Sequence, residues 1–298
     1  SSGLLLAELA AAYRAEGSLP AADLPALPVE YADYAQWQEA VVPREEIERQ
    51  VRYWIERLST RPVSLSPLVS GGLAGNQPAT RLTFRCGRSV VDGLTRLARL
   101  HGTSRFAAVT AIVASAVREV SGQSQFVVGT TVTRRSRPEL ESLVGYFANL
   151  VATPVDLSDT QDLDSAIEET GHAVVAALAH SDAPFDQVVA RLRPERQAGR
   201  MPLIDLMVNY GRAESADLAF GPVRAQRMRV DSGRARAPLS VNLREAADEI
   251  ICDVVFDPAL VAVDRGERLI AALKRMLEAV GGENAMSEDG RAATWSGG

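Results

Sequence analysis

Three histidines, His101, His172 and His180, are the side chains here whose ordinary titration lies near neutral pH. His180 has an acid two residues on, Asp182, in a stretch that reads as a loop. Two histidines at i, i+4, the helical spacing that gives zinc two imidazoles on one face, do not occur. His101 falls at the end of a helical pattern, where a cation suits the helix dipole. His172 lies mid-helix among alanines and valines and fits a packed or a surface position. His180 fits a capping or loop role, or a site role beside Asp182. Serines are abundant, but no Gly-x-Ser-x-Gly elbow and no phosphate-binding Gly-rich loop is present. Glu168 and Glu169 are adjacent, so they point in different directions from a helix and suit a solvated face. Arg134, Arg135 and Arg137 form the one dense basic cluster; they fit a solvated loop or a contact for an anionic group. Cys86 and Cys252 lack metal or redox spacing and read as buried thiols in a reducing, cytoplasmic setting.

The elements that would carry these residues follow from periodicity. Leu5, Leu9, Ala12 and Tyr13 recur at helical spacing, and Gly17 stops that helix. Residues 18–28 carry prolines and read as a connector. Tyr34, Trp37 and Val41 mark a second helix. Pro43 opens a third, with Glu45 and Glu46 in its first turn and Ile47, Val51, Trp54, Ile55 and Leu58 as its apolar stripe. Trp37 and Trp54 therefore read as core residues rather than ligand platforms. Residues 59–79 show prolines, glycines and serines without periodicity and read as a surface linker.

Past that stretch, strand and helix patterns alternate. Leu82, Phe84 and Cys86 repeat at period two, and a helix through Val91, Leu94, Leu97 and Ala98 closes at Gly102. Ser104 caps the next helix, which ends before Gly122. Gln125 to Val132 is a buried-strand run, Leu150 to Val155 is extended, and Leu163, Ile167, Val174 and Leu178 mark a long helix. Pro184 starts a shorter helix. The last third is strand-rich: Ile204 to Tyr210 and Leu239 to Leu243 alternate, Ile250 to Phe256 is nearly all apolar, and Ala246 to Asp248 makes a tight connection. A final amphipathic helix holds Leu269, Ile270, Leu273, Met276 and Leu277, and a tail rich in glycine, serine and acid starts at Gly281. This alternation predicts a layered α/β fold.

The chain has 298 residues, 46% hydrophobic and 23% charged, with formal net charge -6. That size and composition suit a globular core without staples. The acidic balance gives no global reason to expect nucleic acid. No run of about 20 apolar residues exists, so no membrane partner is expected.

Three strings carry a resemblance. Leu143-Val-Gly-Tyr-Phe-Ala-Asn-Leu150, His180-Ser-Asp-Ala-Pro-Phe-Asp186 and Arg200-Met-Pro-Leu203 resemble, in this order, the later core motifs of condensation domains of nonribosomal peptide synthetases. Tyr31-Ala-Asp-Tyr-Ala-Gln-Trp37 resembles that family's Tyr-x-Asp-Tyr-Ala-x-Trp signature, and Val127-Val-Gly-Thr130 and Arg137-Pro-Glu-Leu140 follow in family order. Ser181 stands where the family has glutamine, and Asp186 where it has glutamate. The family's His-His-x-x-x-Asp-Gly motif does not occur in this sequence.

The resemblance implies a chloramphenicol-acetyltransferase-like, two-lobed α/β fold. Residues 1–58 would be the end of the first lobe with its crossover helices, 59–79 a linker, 80–280 the second lobe, and 281–298 a tail toward a following domain. It implies amide-bond formation between thioesters brought on phosphopantetheine by peptidyl carrier proteins, with no cofactor bound directly. It further implies two other partners, an N-terminal lobe segment bearing the histidine motif and an adenylation domain, and that this chain starts just past that motif. No catalytic residue is carried over. Gly145, Phe147, Asn149, His180, Asp182 and Arg200 are expected to support a substrate tunnel or cleft, Arg200 through a buried ion pair. The arginine cluster would meet a phosphopantetheine phosphate or an acidic carrier surface if it meets an anion at all. Two other functions fit the same strings: a catalytically inactive recruitment domain that binds a tailoring enzyme, and a stand-alone acyltransferase that makes esters.

Overall fold

The structure, a computed structural model, describes residues 1–15, 24–41, 43–60, 64–70, 78–135, 137–194, 200–213, 217–226 and 233–282. Three helices lead: α1 (Ser2–Arg14), α2 (Tyr31–Val41) and α3 (Arg44–Ser59). Then come β1 (Thr80–Gly87), α4 (Arg88–Leu100), α5 (Arg105–Ser121), β2 (Gln125–Thr133), β3 (Ala148–Asp156), α6 (Leu163–Ala179) and α7 (Phe185–Leu192). The end holds β4 (Leu206–Arg212), β5 (Asp217–Phe220), β6 (Val223–Gln226), β7 (Leu239–Glu245), β8 (Glu249–Phe256) and α8 (Val263–Gly282). Six strands form one mixed sheet in the order β1-β8-β7-β4-β2-β3, and β5 and β6 form a separate hairpin. β4 runs parallel to both of its neighbours, β2 and β7; the other pairs in the sheet are antiparallel.

Local chemistry sets these boundaries. The Ser104 hydroxyl accepts the Ala107 N–H at 3.1 Å and opens α5, and Gly122 at φ 72° closes it. Asp162 and Ser165 form a capping box on α6. Pro43 precedes α3 and Pro184 precedes α7, each in extended backbone. Pro154 lies in β3, an outermost strand, where a missing N–H costs no ladder bond between central strands.

Neighbouring strand residues face opposite sides of the sheet. Val128, Val208, Val241 and Val254 pack with α4, α5 and α8 into the main core. Val127, Ala152 and Met207, on the opposite side, pack beneath Val51, Trp54 and Leu58 of α3 and Val188 of α7.

Three expectations change. Residues 64–70 are not a surface linker: Leu65 and Leu68 are each 0% exposed and Val69 is buried beside them. A single turn, closed by the Leu68 and Val69 N–H groups on the Leu65 carbonyl, folds the three apolar side chains inward. A lone turn has no period, so the sequence showed none. The tail expected from Gly281 begins later, because α8 runs through Gly282; its remainder, 283–298, lies outside the described residues, as do Gly17 and residues 18–23 of the connector. The β5–β6 hairpin, turning at Gly221 with φ 60°, was not anticipated. Among the described residues, no single helix is long and apolar enough to cross a membrane.

Candidate functional site

The Leu143–Asn149 string meets α2 face to face. A Cβ on Gly145 would lie 2.2 Å from the Tyr31 ring, so glycine is required by close approach rather than by an unusual dihedral. Tyr31 Oη donates to the Tyr146 carbonyl at 2.9 Å. The buried Phe147 ring packs on Tyr31 at 5.3 Å and Tyr34 at 4.7 Å between centroids. Arg135 stacks over Phe147 at 4.1 Å while donating to the Leu140 and Leu143 carbonyls. Arg137 lies 4.9 Å over the Trp37 ring.

The same string ends on Asn149, which reaches the His180–Asp186 string. Asn149 Nδ2 donates to the Ser181 and Ala183 carbonyls, both at 2.8 Å. Its Oδ1 accepts the Phe185 N–H at 3.4 Å, at the start of α7. Arg134 donates to the Asp182 carbonyl at 2.6 Å and the Ser181 carbonyl at 3.3 Å. From α3, Gln50 Oε1 accepts the Asp182 and Ala183 N–H groups at 3.0 and 3.1 Å. Trp54, one turn on, donates to the His180 carbonyl at 2.9 Å. Every polar backbone atom along this short loop thus has a named side-chain partner or a helix-end bond.

The loop, α2 and α3 enclose a cavity of about 630 Å³ lined by Tyr34, Trp37, Ile47, Arg134, Ser181 and Asp182, among others. Burial pushes the Tyr34 phenol up, with Arg134 opposing, so the cavity presents a neutral hydroxyl beside the exposed Asp182. Hydrogen bonds from Arg49 and then Gln50 hold the Glu46 carboxyl down at about 2.

Gly145, Phe147, Asn149, His180 and Asp182 are therefore brought together. His180 does not aim at the cavity. Its ring stacks on Tyr53 at 3.6 Å with an interplanar angle of 5°, and Nδ1 donates to the Ala176 carbonyl at 2.8 Å, which suits the helix-end role. Arg200 stands apart from the group. It pairs with Asp205 at 2.6 Å, both side chains 8% exposed, and donates to the Ser70 carbonyl. Asp205 also accepts the Leu65 N–H, so the pair ties the buried 64–70 turn to the entrance of β4. His101 has acids that sequence proximity did not reveal: Asp164 at 3.0 Å and Glu168 at 3.4 Å, both from α6.

The sequence reading missed Gln50, Tyr53 and the inward use of the arginines. Gln50 had a signal, because it interrupts the apolar face of α3 between Ile47 and Trp54 and is 2% exposed. The arginines had none. Arg134 and Arg135 meet backbone carbonyls of this chain, which any residue type can supply.

The sequence model described as Condensation domain matches residues 1–288. The chain belongs to the condensation-domain family. Within this family it is 29% identical over 282 residues to malpinin synthetase of Mortierella alpina, covering 94% of this chain and 4% of that protein. It is 31% identical over 292 residues to phosphinothricin tripeptide synthetase PhsC of Streptomyces viridochromogenes, covering 94% of this chain and 26% of that protein. The chain thus spans a minor part of the length of these synthetases. In structure it resembles the complex of the X-domain and OxyB from teicoplanin biosynthesis, at TM-score 0.75 and 21% identity over 93% of this chain and 65% of that one. It also resembles the first condensation domain of the calcium-dependent antibiotic synthetase, at TM-score 0.69 and 22% identity over 95% of this chain and 61% of that one. These likenesses show the fold, so the sheet and helices of this condensation-family chain are those of the chloramphenicol-acetyltransferase-like class.

Proposed function

We propose that this chain works as part of a nonribosomal peptide synthetase condensation domain, joining an amine and an acyl thioester that arrive on carrier proteins. The observation that carries this reading is convergence. Two strings far apart in sequence, at residues 31–37 and 180–186, line one cavity, and a third, 143–149, packs on the first through Phe147 and holds the second through Asn149, with Arg134 and Gln50 completing the clamp. In the reaction, the amine nitrogen bonds to the thioester carbonyl carbon, the C–S bond breaks, and the donor arm leaves as a thiol. The amine's proton is assigned to no residue here: His180 is committed to Tyr53 and Ala176, His101 to α6, and none of the three histidines lines the cavity. The described residues act by framing: they fix a wall against which tethered reactants are oriented, and orientation alone can contribute several kcal/mol. The substrates bring their own phosphopantetheine arms, and the natural partners are carrier proteins and an adjacent adenylation domain.

The test is transfer between carriers. The synthetase polypeptide containing this chain is mixed with donor-loaded and acceptor-loaded carrier proteins, and the carriers are weighed by intact-protein mass spectrometry. The proposal expects the donor acyl mass to move to the acceptor amine and to remain there as an amide after the thioester is cleaved. An ester product would replace it with the acyltransferase reading. Retained carrier and tailoring-enzyme binding without transfer would replace it with the recruitment reading.

A further inference from the structure

We infer that Gln50 is a positioning residue, the group that fixes how the 180–183 loop presents Asp182 to the cavity; this rests on the condensation reading. Gln50 is 2% exposed and lies on the buried face of α3 with Val51, Trp54 and Leu58. A buried amide is costly unless its valences are met. Here they are. Oε1 accepts two consecutive N–H groups, Asp182 at 3.0 Å and Ala183 at 3.1 Å. Nε2 donates to Glu46 Oε1 at 2.8 Å and lies 3.5 Å from Asp182 Oδ2. A carboxylate only accepts, so Glu46 fixes which end of the amide is nitrogen and aims the oxygen at the loop.

The loop is thereby held from two sides. Gln50 takes its N–H groups, while Asn149 and Arg134 take its carbonyls. Peptide planes fixed at both poles set the point and direction from which the Asp182 side chain leaves the backbone, and Asp182 lines the cavity beside Tyr34 and Trp37. No other described side chain accepts the Asp182 and Ala183 N–H groups. Loss of Gln50 would therefore free the loop, together with the one 3.5 Å contact that Gln50 makes to the Asp182 carboxylate.

Two variants test this. In Gln50→Glu, a neutral acid still accepts from the loop and donates to Glu46, reproducing the amide. Its ionised form sets a second carboxylate against Glu46 and Asp182. The other charged or titratable groups around this position are Arg49, Arg134 and His180. The variant should match wild type at low pH and lose about tenfold or more in kcat as pH rises past the ordinary glutamate range, with KM for the carriers within about threefold. In Gln50→Ala, the Asp182 and Ala183 amides should exchange with deuterium at least about tenfold faster, while the core amides of α5 keep their protection. A Gln50→Glu profile parallel to wild type, with unchanged exchange at Asp182 and Ala183 in Gln50→Ala, would overturn the assignment. Wild-type protein that forms no amide at any pH would instead remove the condensation reading, and the exchange measurement would still decide whether Gln50 clamps the loop.

Discussion

Replacing Gly145 by alanine should separate α2 from the Leu143–Asn149 string. The new methyl carbon would lie 2.2 Å from Tyr31 Cδ2 and 2.5 Å from Cε2, well inside van der Waals contact. The Tyr31 ring must move by more than about 1 Å to reach ordinary carbon–carbon separation. It cannot move freely, because its hydroxyl is bonded to Tyr146 and its face meets Phe147. Overpacking costs about 1–3 kcal/mol. Losing the hydrogen bond and the edge-to-face contact adds about 1 kcal/mol, since Tyr31 is half-exposed. The expected loss is about 2–4 kcal/mol, or roughly 4–16 °C in Tm for a unit of this size. Urea unfolding of Gly145→Ala, Tyr31→Ala and the double variant makes the test specific. If the clash is the cause, the double variant is no less stable than Tyr31→Ala alone. Additive losses, or a Gly145→Ala change below about 0.5 kcal/mol, would refute the close-approach argument.

Arg200→Leu leaves Asp205 charged and buried, so unfolding free energy should fall by about 3–5 kcal/mol, and adding Asp205→Asn should recover part of it in the same denaturant titration. Leu68→Ala should cost about 2–5 kcal/mol by urea unfolding, whereas a surface linker would lose almost nothing. Glu46 gives a pH signature. Its carboxyl falls from 4.5 to about 2 on folding, so the stabilisation it supplies is complete above pH 4.5 and disappears as pH drops through 2. Glu46→Gln should therefore flatten Tm against pH between those values, and an unchanged slope would count against the bonds from Arg49 and Gln50.

What the sequence disclosed followed from features that repeat or cap. The stripe on α3, the Ser104 cap and Gly122 stop of α5, and the alternating strands β4 and β7 are local patterns, and each appears where expected. Gly145 was legible as a cleft residue, but not the close approach that requires it, because the ring it meets belongs to Tyr31 of α2, far away in sequence. The buried turn at 64–70 was not, because three inward side chains on one turn have no period. Nor were the roles of Arg134 and Arg135. Three arginines in a row of four suggest solvent or an anion, yet two spend their donors on carbonyls of Ser181, Asp182, Leu140 and Leu143. Likewise the acids facing His101 come from α6, more than sixty residues away. Tertiary partners of this kind are supplied by the fold and leave no mark near the residue that uses them.

Amide formation by the synthetase polypeptide after substitution of each histidine of this chain tests most directly whether these residues frame the reaction or carry its proton. His101→Gln and His172→Gln should keep kcat within about twofold of wild type, and His180→Asn within about tenfold, because only stacking and a helix-end bond are lost. A loss of about 10²–10⁴-fold in kcat for any one of them, in a protein whose Tm is unchanged, would make that histidine a general base and contradict the account.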